Sequence, residues 1–239
     1  MRRGEVTLIA GLVVCAQAAI AQSNKSTVPD LTGVYEIVPN NVTIPGGLKN
    51  SGSPEELSLQ PAAAAKAKAT DLNQDPAKTC QFIGPFRMMA REGTMIDVLP
   101  SLKQNRIFIL FEDYFTGFFR EIFLDRPPAP KQEFPDRDPG QGDSFGKWEG
   151  DTLVVDTINF NKYVWLNANG APHSDALHLT ERVRLVGNGQ YLEVNVTADD
   201  PKVLTKPYPY TRYYKKVDKG VPQYVCTDDL VEHAIPAVN

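Results

Sequence analysis

The sequence predicts a mainly β fold, an antiparallel up-and-down β-barrel with one helix in its N-terminal half. Three observations point there. Beyond residue 90 the chain is a succession of short runs rich in Ile, Val, Phe and Tyr, separated by turn-forming residues. Only one stretch has the composition of a helix. The two longest connections are too rich in Pro, Gly and polar residues to be central strands. About eight or nine sequential strands joined mostly by short turns favour closure into a barrel, with a two-layer β-sandwich as the alternative.

Residues 30–38 (DLTGVYEIV) read as the first strand, and 39–56 follow as a long polar loop containing Gly46-Gly47. Residues 61–72 (PAAAAKAKATDL) form the helix, because alanine and lysine favour it and Pro61 suits a first helical position. With its flanks this makes a helical and looped insertion over 57–80. Strands are then expected at 94–99, 106–112 and 118–124. Residues 126–142 (RPPAPKQEFPDRDPGQG) make a second long loop. Strands resume at 144–148 and 152–157 around Glu149-Gly150-Asp151, and at 177–186 and 191–198 around the hairpin turn Gly187-Asn188-Gly189-Gln190. A last strand occupies 207–217.

The N-terminus has the three-part plan of a cleavable export signal: Arg2 and Arg3, an apolar run over 6–14, then Ala19-Ile20-Ala21 as a small-x-small cleavage pattern. The run is well short of the roughly 20 residues that span a bilayer. Residues 1–21 are therefore expected to leave after Ala21, and 22–239 to form a single domain in the periplasm or outside the cell. The formal net charge is −4, and losing Arg2, Arg3 and Glu5 makes the mature chain slightly more acidic. That balance offers no footprint for nucleic acid, and no later apolar run suits a transmembrane helix. Nothing in the sequence sets an oligomeric state. Cys15 leaves with the signal, so Cys80 and Cys226 remain. In an oxidising compartment two cysteines most simply pair, the other reading being two buried thiols. The bridge would close a loop of about 147 residues, worth about 5 kcal/mol in the chain-entropy model.

Residues 145–157 (FGKWEGDTLVVDT), Asn159-Phe160-Asn161, Trp165 and 172–182 (PHSDALHLTER) together resemble a family of secreted bacterial proteins of unassigned function. The likeness continues through Asp200-Pro201-Lys202 and Tyr224-Val225-Cys226, covering most of the chain beyond Asp75. It implies an exported, β-barrel-like domain. Gly33-Val34-Tyr35 is also similar to the Gly-x-Trp opening of lipocalin-like barrels, with Tyr in place of Trp.

Period-two alternation sorts residues 177–186 into two faces. Leu177, Leu179, Glu181, Val183 and Leu185 share one; His178, Thr180, Arg182 and Arg184 share the other. Glu181 thus stands among apolar residues, where an unpaired carboxylate is costly. It is either a general acid/base or ligand anchor, or half of a buried ion pair with an inward arginine, Arg120 being the candidate. Asp156 lies opposite the face of Leu153, Val155 and Thr157. It is a second candidate base, or a cap for the turn toward Asn159 and Asn161. His173, with Ser174 and Asp175, forms a polar loop at the open end of the barrel, where a site is readily built. His173 and His178, five apart, lack the spacing of a metal pair, and His233 lies in the tail, so no metal is predicted. Arg120, Tyr114, His178, Arg182, Tyr210 and Trp165 are the expected ligand contacts. Tyr208, Tyr210, Arg212 and Tyr214 share a face from which Tyr213 points away, and phenols there can stack on and hydrogen-bond a ring.

The sequence holds no phosphate loop, no dinucleotide fingerprint and no Cys-x-x-Cys, and no cofactor is expected. The leading expectation is a small-molecule-binding barrel with a mostly apolar or aromatic ligand inside. The alternative is a cofactor-free lyase, isomerase or hydrolase using Glu181, His173 or Asp156. Convergence of Glu181, a histidine and an arginine on one pocket would favour the enzyme; separate faces would remove it.

Overall fold

In chain order the elements are β1 (Gly33–Ile37), β2 (Thr43–Ile44), β3 (Leu48–Lys49), α1 (Pro61–Ala69), α2 (Pro85–Met88), β4 (Met95–Ser101), β5 (Arg106–Asp113), β6 (Thr116–Leu124), β7 (Asp143–Glu149), β8 (Thr152–Ile158), β9 (His178–Val186), β10 (Tyr191–Asp199) and β11 (Tyr208–Val217). They belong to a computed structural model that describes residues 28–79, 81–113, 116–128, 140–161 and 163–221. The expected signal at 1–21, Cys80, Cys226, Tyr114 and His233 lie outside the described residues.

Nine strands close a lipocalin-like barrel in which β1 is followed by β4 through β11 in sequence order, and β11 returns to β1. Closure removes the sandwich alternative. Every neighbouring pair is antiparallel except β6 and β7, which run parallel through Ile122–Leu124 and Ser144–Gly146. Parity demands such a seam, because nine strands cannot alternate in direction all round a closed ring. A parallel neighbour also needs a long return connection, and the proline-rich stretch after β6 occupies that place in the chain. The hairpins turn where expected, with Gly187, Asn188 and Gly189 all at positive φ between β9 and β10.

Alternate residues point inward. Tyr35, Ile96, Ile107, Val155, Leu179 and Val194 are among the buried wall residues of one continuous core. The interior is then filled by residues 82–90, a segment without a helical or strand pattern in its sequence. Phe82, Ile83, Phe86, Met88 and Met89 are all buried in that core. Two tyrosines of β11 hold the segment: Tyr210 Oη donates to the Phe86 carbonyl at 2.7 Å and Tyr214 Oη to the Met89 carbonyl at 2.6 Å. Arg87 adds a bidentate pair with Asp75, at 3.0 and 2.9 Å, which ties α2 to the insertion. Gly84 opens α2 at φ +82°, and a Cβ there would lie 2.6 Å from Val164 Cγ1. Only glycine fits that corner.

Where one helix was expected there are two among the described residues, since α2 adds a short second one, and two further expectations change in detail. The helix ends at Ala69, not at residue 72, and the polar loop after β1 contains the small β2–β3 hairpin. Among the described residues no helix is long and apolar enough to cross a membrane.

Candidate functional site

Among the described residues two polar groups of side chains occur inside the barrel, both buried with the filling segment. The first is built on Arg120 of β6, which is 1 % exposed and points inward with Ile122. Its guanidinium passes beneath β7 and β8 to reach Glu181 of β9, itself 2 % exposed. Nη1 donates to Glu181 Oε1 at 2.9 Å and Nη2 donates to Oε2. On the way Nε donates to Ser144 Oγ of β7 at 2.9 Å, and Nη2 donates to Thr157 Oγ1 of β8 at 2.7 Å. Ser144 and Thr157 hydroxyls are 3.1 Å apart, so four successive strands meet at one guanidinium. A carboxylate so far from water is tolerated because a bidentate cation faces it.

Beside this pair lies a void of about 10 Å³, lined by Met89, Ile96, Ile122, Val155 and Val194 together with Arg120 and Glu181. That is about the room one water needs, and far below the roughly 300 Å³ of a small-molecule site. Around this void the described side chains fill the interior.

The second group lies on β11. Tyr210, Arg212 and Tyr214 share the inward face, as alternation predicts, while the Tyr213 hydroxyl turns to Glu193 at 3.1 Å. Arg212 is 1 % exposed and lies over the Tyr210 ring, 4.9 Å from its centroid. Its hydrogen bonds all go to backbone carbonyls: Nε to Ala90 at 3.4 Å, Nη1 to Ser51 at 3.0 Å and to Thr211 at 2.8 Å. Burial raises the Tyr210 and Tyr214 phenols well above their ordinary range, so both stay protonated donors.

The other predicted site residues are dispersed. Asp156 sits on the outer face, where Oδ1 is 2.9 Å from His178 Nε2 and accepts from Thr180 Oγ1 at 3.3 Å. Arg182 is on the same outer wall and donates to Glu149 at 3.0 Å. His173 has the Ser174 and Asn161 carbonyl oxygens against its two ring nitrogens, which ties the two ends of the β8–β9 connection together. Trp165 is half-buried in the connection between β8 and β9. Of the expected residues, then, Glu181, Arg120 and Tyr210 face the interior, and Asp156, His173, His178 and Arg182 do not join them. Ser144, Thr157 and Arg212 belong to the interior polar groups and were not singled out from sequence. Their inward parity was the available signal. Among the described residues no cluster of three or more His, Cys, Asp or Glu side chains is arranged to hold a metal ion.

No family model matches the chain, and no curated protein matches it. Solved structures do resemble it. Secretory abundant heat soluble protein 4 from Ramazzottius varieornatus is similar with a TM-score of 0.38 and 11 % identity, over 79 % of this chain and 95 % of that one. A fatty acid transporter variant, REP1-NXSQ, is similar with a TM-score of 0.41 and 10 % identity, over 78 % and 98 %. At such scores they carry no functional argument.

Proposed function

We propose that this chain is an exported barrel that binds a small, mostly apolar molecule in its interior, by displacing residues 82–90. The observation that carries the reading is the composition of the filler. Met88 and Met89, unbranched and polarizable, pack inside a wall of Ile, Leu and Val, and Met89 itself lines the void. Methionine adapts to irregular space, and an apolar guest would replace its contacts like for like. The filler is joined to β11 by two phenol-to-carbonyl hydrogen bonds, each worth about 1 kcal/mol net, and by a longer one from Arg212 Nε to the Ala90 carbonyl, so its withdrawal needs no ion pair with β11 to break. The enzyme alternative loses its motive, since Glu181 is engaged by Arg120 and the histidines and Asp156 lie elsewhere.

The test is equilibrium titration of the mature protein with N-phenylnaphthylamine, an uncharged probe that fluoresces in apolar surroundings. Saturable uptake, displaced by extracts of the native periplasm, is the expected result. No uptake by the folded protein would overturn the reading. Export itself is tested by N-terminal sequencing of the protein recovered from its host, which is expected to start at Gln22.

A further inference from the structure

On the inward face of β11, Tyr210, Arg212 and Tyr214 present hydrogen-bond donors whose oxygen acceptors are all backbone carbonyls, with Met89 Sδ a further contact of Tyr214 at 3.9 Å. Tyr210 Oη, Arg212 Nε and Tyr214 Oη, on alternate residues, grip the carbonyls of Phe86, Ala90 and Met89 respectively, all within the filling segment. Arg212 Nη1 takes two further carbonyls, of Ser51 and Thr211. Its Nη2 has no hydrogen-bond partner among the described residues, although the side chain is 1 % exposed.

The charges make the arrangement stranger. Among the described strand residues, the inward face of the barrel carries two guanidiniums, those of Arg120 and Arg212, and one carboxylate, that of Glu181, while the buried Arg87 of the filling segment is paired with Asp75. Glu181 is committed to Arg120 through both its oxygens. The neighbouring Glu56 carboxylate accepts from Tyr208 Oη at 2.9 Å and forms no ion pair with Arg212. Arg212 is therefore a buried cation answered only by neutral dipoles and the face of Tyr210. Leaving a charge buried without a counter-charge is expensive, and a spare donor adds to the cost. Such a residue is poorly explained as a device for stability.

We infer that Tyr210, Arg212 and Tyr214 form an anion subsite, occupied in this closed state by the carbonyls of residues 86–90. The guest is a small organic acid, an apolar body bearing one carboxylate or sulfonate-like group. When the segment withdraws, Tyr210 Oη, Tyr214 Oη and Arg212 Nε lose their acceptors together and join the already free Nη2. The oxygens of one acid group replace the departing carbonyls and supply the missing counter-charge. The apolar body takes the space left by Phe86, Met88 and Met89. This inference rests on the interior-binding reading above and adds the charge of the ligand to it.

The experiment compares two probes with the same ring system on the mature full-length protein. Anilinonaphthalenesulfonate carries a sulfonate; N-phenylnaphthylamine lacks it. The wild type is expected to bind the sulfonate about tenfold more tightly, the scale of one charge-assisted contact. Arg212→Gln is expected to remove that preference while keeping affinity for the uncharged probe, and Arg212→Lys to restore part of it. Equal affinity of the wild type for both probes overturns the anion subsite and leaves the interior-binding reading standing. A preference that survives in Arg212→Gln overturns it too, by placing the sulfonate elsewhere. If neither probe binds, the interior-binding reading fails first. Should Arg212→Gln fail to fold, the wild-type comparison together with Arg212→Lys still decides the matter: a preference that Arg212→Lys leaves at its full wild-type value counts against the subsite.

Discussion

Arg120 on β6 and Glu181 on β9 have two strands between them, yet both terminal nitrogens of the guanidinium meet the two oxygens of the carboxylate. The pair spans the place where the barrel is least stitched by its backbone. At the parallel seam β6 and β7 match over only Ile122–Leu124 and Ser144–Gly146, whereas β5 and β6 pair along their full length. Arg120 bonds Ser144 on the far side of that seam at 2.9 Å before continuing to Thr157 and Glu181. The polar network thus holds β6 to β7, β8 and β9 where ladder hydrogen bonds are few.

Removing one partner should therefore cost more than removing both. Glu181→Ala leaves the Arg120 cation buried and is expected to destabilise by about 3–5 kcal/mol. The double replacement Arg120→Met, Glu181→Leu is expected to recover most of that loss, since an apolar pair of similar volume carries no desolvation penalty. Urea denaturation of the wild type, both single variants and the double variant completes the cycle. Additive losses would mean the two side chains do not act as a pair.

A second carboxylate is expected to contribute to the acid limit of the fold. Burial pulls the Glu193 carboxyl up, but donors outweigh it and hold the group below its ordinary value of 4.5. Those donors are Arg184 Nε at 3.0 Å, Asn195 Nδ2 at 2.9 Å and Tyr213 Oη at 3.1 Å. A depressed folded value means stability that is present above pH 4.5 and lost as pH falls through the folded value. Glu193→Gln is expected to lower the urea midpoint at neutral pH and to flatten its decline on acidification. An unchanged acid limb would remove Glu193 from the account.

Much of this was legible in the sequence, because period-two alternation is a local signal. The inward positions of Glu181, Tyr210 and Tyr214 and the outward position of Tyr213 all follow from counting along one strand. Arg120 as the partner of Glu181 followed from the cost of an unpaired buried carboxylate. The filling segment was not legible. Residues 82–90 are too short and too mixed to show a helix period, and their burial is decided by β11, more than a hundred residues away in sequence. The parallel seam was missed for a similar reason: it follows from the number of strands in a closed ring, which no single strand encodes. His173 read as a site residue because loop histidines often are, while its anchoring to the Asn161 carbonyl is a contact between the two ends of one long loop.

The alkaline limit reports on the interior phenols. Burial pushes Tyr35 up to about 12, and its hydroxyl donates to the Leu31 carbonyl at 3.0 Å. A raised folded value contributes stability that is complete below the unfolded value near 10 and disappears as pH rises through the folded one. Phenolate absorbance should therefore show exposed tyrosines titrating first, with Tyr35 ionising only as the fold weakens between about pH 10 and 12. Tyr35→Phe removes one late-titrating group and is expected to lessen the dependence of the urea midpoint on pH in that window. A variant with the wild-type profile would show that Tyr35 is not the group responsible.

Phe86 connects stability to binding most directly. Its ring is buried and packs on Tyr210 with centroids 5.1 Å apart, at the centre of the segment that fills the barrel. Truncation to alanine is expected to destabilise by about 3–5 kcal/mol, from lost transfer free energy and the cavity left behind. The same change vacates the space that the proposed guest takes, so N-phenylnaphthylamine should bind Phe86→Ala more tightly than the wild type. The two effects share one cause and must appear together: a guest that refills the cavity returns part of the lost stability, raising the urea midpoint of the variant by more than that of the wild type at equal probe concentration. A variant that loses stability and gains neither affinity nor this rescue would show Phe86 to be ordinary core, and the segment around it a permanent part of the wall.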